Sequence, residues 1–177
     1  ALPNTGTLVN GDQVIAKVNI AADAAGGIDW SKIVFTVNKT GPVILGAVAS
    51  DWKLKLDGTE ITGSISTSSN LALAATLTGT VTFIPSAIQQ IGAGSSKTYE
   101  LWTSISGAAT DESVTTKIAS GATAHAQSTA SSSVAGSPSF VWSDASYNTT
   151  AHSATTPDWN NDWLIKNLPT NSQTSSL

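Results

Sequence analysis

Residues 51–65 read DWKLKLDGTEITGSI. Successive side chains of a strand point to opposite faces, so Trp52, Leu54 and Leu56 share a core side while Lys53, Lys55 and Asp57 face water. Asp57-Gly58 follows, and this pair supplies the positive φ angles that a two-residue hairpin turn demands. A hairpin is therefore predicted, with TEITGSI as its return.

The same period of two recurs outward along the chain. In GDQVIAKVNIAAD it puts Val14, Ala16, Val18 and Ile20 on one face, with Gln13, Lys17, Asn19 and Ile15 opposite. In DWSKIVFTVN it selects Ile33, Phe35 and Val37 for the core. LALAATLTGTVTF is the longest run, with Leu71, Leu73, Ala75, Leu77, Val81 and Phe83 at odd positions and Gly79 as the expected site of a bend or bulge. KTYELWTSI sets Tyr99, Leu101 and Ile105 against Glu100 and Trp102. ESVTTKIAS offers Val114, Thr116 and Ile118, and SFVWSD offers Phe140 and Trp142. One helical turn is expected in IPSAIQQIGAG, capped by Ser86 after Pro85 and ended by Gly92. The Ala, Ser and Thr-rich stretch 121–136 reads as a long loop, a bulged edge strand or a surface arm. Short strands about ten residues apart, with at most one short helix, predict an all-β fold. Its form is expected to be a β-sandwich, immunoglobulin-like or jelly-roll, with Greek-key connections. The organisation expected is an N-terminal strand over residues 1–10 and a single sandwich over 11–177.

Composition narrows the function. Ser and Thr supply 49 of 177 residues, and only 11% are charged, against about 25% in average proteins. The formal charge of −4, with eight scattered Lys and no Arg, argues against a nucleic-acid groove. The absence of Cys removes disulfides, thiolate catalysis and cysteine metal sites. No run approaches the length of a membrane span. Low charge and abundant hydroxyls suit an exported chain at the cell surface or outside the cell, its leader removed.

Candidate sites are few. Asp29-Trp30, Asp51-Trp52, Asp158-Trp159 and Asp162-Trp163 pair a carboxylate with an indole, as a sugar platform would. Trp30, Trp52, Trp102, Trp159 and Trp163, with Trp142, are the candidate stacking residues. The competing reading has Asp closing a turn and Trp filling a small core. Asp158, Asn160 and Asp162 match the opening of a calcium loop, but Trp163 and Pro169 stand where its Gly and Glu are required, so no metal or cofactor is expected. His125 and His152 lie in no nucleophile or zinc motif, and no pair of carboxylates stands out for glycoside hydrolysis. The chain is not expected to be an enzyme. Asn38 and Asn148 begin N-glycosylation triplets.

Two stretches carry a resemblance: VNGDQVIAKVNIAADAAGGIDWSKIVFTV and SFVWSDASYNTTAHSATTPDWNNDWLIKNLP. They resemble β-sandwich modules of large surface proteins from small-genome uncultivated bacteria, which implies a fold and no catalytic residues. More distantly, the opening strand followed by AxxAGxIDWxKIxF is similar to subunits of TasA-type biofilm fibres and archaeal bundling pili. That likeness implies assembly by strand donation, with residues 1–10 as donor and Leu2, Thr5, Thr7, Leu8 and Val9 as the inter-subunit strand. Pro3 would then sit at an end of the ladder. The physical case is independent of it, since an exposed sheet edge must be protected or used. The expected role is a self-assembling structural subunit of a surface filament. The alternative is a secreted adhesive or sugar-binding module with surface polysaccharide as partner.

Overall fold

The computed structural model describes residues 6–68, 71–147 and 151–177. It is an all-β sandwich of two antiparallel sheets. The first sheet has the order β1 (Gly11–Ala21), β9 (Ser96–Ser106), β4 (Trp52–Leu56), β5 (Thr59–Glu60), with β3 (Ile44–Leu45) also on β9. The second is built on β2 (Ile28–Thr40). Along one path it runs β11 (Gln127–Ser128), β13 (Trp159–Asn160), β12 (Phe140–Ser143), β2, β10 (Ser113–Lys117), β14 (Gln173–Ser176). β7 (Leu77–Pro85) and β8 (Gln89–Ile91) also pair with β2, and β6 (Gly63–Thr67) pairs with β7.

The predicted hairpin is present but its return is short: only Thr59 and Glu60 pair with β4, and the GSI of the expected return crosses to the second sheet in β6. Leu56 faces Thr59 across the turn, with Asp57 at φ 50° and Gly58 at φ 81°. Trp52 and Leu54 are buried and Leu56 half-buried. Ile33, Phe35, Val37, Val81, Phe83, Tyr99, Leu101, Ile105, Val114, Thr116 and Ile118 are buried as alternation requires. All of them but Thr116 belong to one hydrophobic core.

Local irregularities overturn several expectations. The β1 register slips between Val14 and Ala16, a bulge that admits one extra residue and turns it inward. Ile15 is therefore buried and Val14 only half-buried. Gly79 makes neither bend nor bulge; it stands in regular register opposite Val37. β7 starts only at Leu77, so Leu71 reaches the core from a turn while Leu73 and Ala75 are exposed. The helical turn after Pro85 is absent. Residues 89–91 instead extend as β8 along Ile28–Trp30, because burying Ile91 against that end of β2 satisfies backbone and side chain together. The only helical turns among the described residues are the 3₁₀ turns Ala49–Asp51 and Ser131–Ser133. No helix among those residues is long and apolar enough to cross a membrane.

The two lateral sides of the sandwich differ. On one, the buried Gln173 of β14 accepts a hydrogen bond from the Lys17 amide at 2.7 Å and donates to the Lys17 carbonyl at 2.9 Å, so one side chain does the work of a neighbouring strand. On the other, β5 pairs only with Lys55 and Leu56 and the Ile61 amide bonds the Leu54 carbonyl, leaving Trp52 and Lys53 with a partner strand on one side. β6 has a partner strand on one side along its whole length.

Candidate assembly edges and a buried histidine cluster

The N-terminal residues lie beside β14. Thr7 forms a parallel bridge with Ser176, and the Leu8 amide donates to the Ser176 carbonyl at 3.1 Å. The Leu8 side chain is fully buried in the core, whereas Val9 is about half exposed at 49%. The Gln13 side chain holds this segment from the other side: Nε2 donates to the Thr7 carbonyl and Oε1 accepts from the Val9 amide. Leu2 and Thr5 lie outside the described residues.

The open side carries a cleft of about 260 Å³ between β4–β5 and β6–β7, lined by Trp52, Leu54, Ile61, Ile65 and Phe83 with Lys53 and Glu60 at its mouth. A second hollow of about 130 Å³ continues it past Val48, Ala49, Thr67 and Leu71. The close approach of chain segments here explains two glycines. A Cβ at Gly63 would lie 2.6 Å from the Phe83 ring, and one at Gly46 would lie 2.0 Å from the Trp52 indole nitrogen.

The candidate stacking tryptophans do not form one platform. Trp30, Trp52 and Trp159 are buried. Trp30 Nε1 donates to the Tyr99 hydroxyl at 3.1 Å, and the two rings meet edge to face. Asp51 closes the turn before Trp52 by accepting from the Val48 amide, which is the turn-and-core role. Trp102, Trp142 and Trp163 are half-buried on different elements. Lys55 Nζ sits 3.9 Å above the Trp102 ring, and its indole donates to Glu100. Lys17 pairs with Glu100 at 2.7 Å, and this contact is the main cause that holds the Glu100 carboxyl below its ordinary value. Asn38 is exposed on β2 between Thr78 and Thr115, and Asn148 lies outside the described residues.

A cluster that sequence reading did not assemble forms around His152. Its Nδ1 lies 2.6 Å from Asp29 Oδ2, and its Nε2 lies 3.3 Å from Asp158 Oδ1. All three side chains are at most 10% exposed, and the imidazole packs 5.0 Å from the Trp159 ring. Burial pushes the Asp158 carboxyl up. Donation by the Ser143 hydroxyl and the Tyr147 amide, with the Thr156 hydroxyl and His152 close by, outweighs that and holds it below the usual value. Ser143 gives its proton to the carboxylate, not to the imidazole, so the cluster fastens His152 and Asp158 to Asp29 of β2. Asp162 is similarly occupied, accepting from the Ala122 and Ser139 amides at 2.7 Å each. The carboxylates of the calcium-like spacing thus stitch loops together. His125 is elsewhere, exposed and 2.9 Å from Asn160 Oδ1.

No family model matches the chain, and no curated protein or solved structure matches it either.

Proposed function

We propose that the chain is a structural subunit of an extracellular filament, without catalysis of its own, in which the N-terminal strand of one copy completes the sheet of the next. The observation that carries this reading is the parallel bridge from Thr7 to Ser176 with Leu8 buried beneath it. The segment already behaves as an added strand at a sheet edge. Val9, Asn10 and Gly11, the last at φ 109°, link it to β1, and straightening this link would offer the same contacts to a neighbour. Exchange of that kind is head to tail and does not close, so it propagates as a filament. The burial of three candidate indoles supports a scaffold over a sugar platform.

The test uses the absence of cysteine. A Thr7→Cys, Ser176→Cys chain, oxidised after assembly, should give a ladder of covalent multimers on a non-reducing gel, and negative-stain microscopy of the parent chain should show filaments that vanish when residues 1–8 are removed. A cross-link confined to the monomer, with filaments persisting after truncation, overturns strand exchange. Monodisperse particles throughout, with Trp fluorescence that changes on adding polysaccharide, would favour the sugar-binding module.

A further inference from the structure

We propose that β6 is a second interface, which pairs antiparallel with β6 of another copy across a two-fold axis through Ile65. This does not rest on exchange of the N-terminal strand.

Exposed sheet edges are ordinarily blunted by shortness, charge, Pro, bulges or cover. The other edges here follow that rule, the open stretch of β4 through the charge of Lys53. β5 has two residues, one of them Glu60, and β11 has two. The β1 edge is bonded by Gln173, and the β14 edge carries Thr7 and Leu8. β6 has none of these protections: its five residues, GSIST, hold no charge and no Pro, and their register with β7 is unbroken.

The backbone of β6 is self-complementary. The Ser86 amide donates to the Thr62 carbonyl and the Ser68 amide to the Thr80 carbonyl, so even-numbered residues direct their polar groups to β7. Peptide groups of an antiparallel strand alternate in direction. Those of Gly63, Ile65 and Thr67 therefore point outward, and among the described residues nothing pairs with them. An axis through Ile65 sets residue 63 opposite 67, 65 opposite 65 and 64 opposite 66 of the second copy. About six backbone hydrogen bonds follow.

The side chains suit the same partner. Ile65 lies opposite buried Phe83 in the ladder and lines the cleft with Trp52, so its mate would cover that apolar floor. Ser64 meets Ser66 on the outer face, where hydroxyl pairs can bond. Exposed Ile84 stands beside Ser64 on β7, and exposed Val48 rims the hollow. A chain of charge −4 meets its copy here along a strand without charge, so the contact escapes the repulsion that a random approach would meet.

The experiment exploits register. Ser64→Cys and Ser66→Cys are made as separate full-length chains, each with a lone thiol. Mixed and mildly oxidised, they should form a covalent heterodimer at least tenfold more readily than either alone, because position 64 opposes 66 and not itself. Thr67→Pro removes an outward donor without touching the β7 ladder and should weaken self-association at least tenfold in sedimentation. Equal cross-linking of each chain alone, no cross-link in the mixture, or unchanged association of Thr67→Pro would overturn the pairing.

Discussion

At Asp158 the cost of burying a carboxylate is set against hydroxyl, amide and imidazole partners, and the partners win. Its folded value is depressed, so it contributes stability that is present above the unfolded value and lost as pH falls through the folded one. Asp158→Asn should lower the unfolding free energy from urea titration by about 1–3 kcal/mol at neutral pH, and the gap to the parent chain should close as the solution is acidified through the carboxylate range. Lys39 shows the opposite balance. It is fully buried, and its ammonium donates to the carbonyls of Val43 and Leu73. Burial nevertheless pulls it below the ordinary lysine value, with Glu112 opposing. A lysine depressed in the folded state holds fewer protons than in the unfolded one, so its contribution to stability rises with pH between the folded and unfolded values. Lys39→Met leaves the buried Val43 carbonyl without its donor and should destabilise by about 1–3 kcal/mol. The deficit should grow between neutral and alkaline pH in denaturant titrations. Neither environment was legible from residues 158 or 39 alone, since what surrounds a side chain is supplied by distant segments: Asp29 and His152 are 123 positions apart.

Among the elements, the β4–β5 hairpin is the one most completely written in local sequence. Its faces follow from alternation, and its turn follows from Asp57-Gly58. Gly58→Val should cost about 1–2 kcal/mol through its positive φ, seen as a lower thermal midpoint with the fold retained. β14 was missed because QTSS is polar and short, and alternation in Ser and Thr carries no hydrophobic period. It is nevertheless decisive, since Gln173 bonds both polar groups of Lys17. Gln173→Leu keeps the bulk but strands that amide and carbonyl, and should cost about 1–3 kcal/mol. Hydrogen exchange at the Lys17 amide should accelerate with it, and unchanged protection there would show that the Gln173 bond does not hold this side. The misplaced helical turn at Ser86–Gly92 has a similar cause: a few apolar residues at mixed spacing fit either period, and the free end of β2 decided between them.

On the scale of the whole molecule, one side of the sandwich is sealed and the other is open, and both proposed interfaces follow from that asymmetry. Removing Leu8 from the core by Leu8→Ala should destabilise the isolated chain by about 2–5 kcal/mol, measured by chemical denaturation at concentrations too low for assembly. A smaller effect would mean that the core closes without the N-terminal strand. The amino-acid sequence by itself determined the fold class, the core faces of β2, β4, β9 and β10, and the hairpin turn. Each of these depends on the period of two and on turn chemistry, which act over a few neighbouring residues. Only the tertiary structure decided the Ile15 bulge, the Gln173 closure, the His152 cluster and the bare β6 edge. Each is a relation between segments far apart in the chain, where the packing of one segment determines what the polar groups of another can reach.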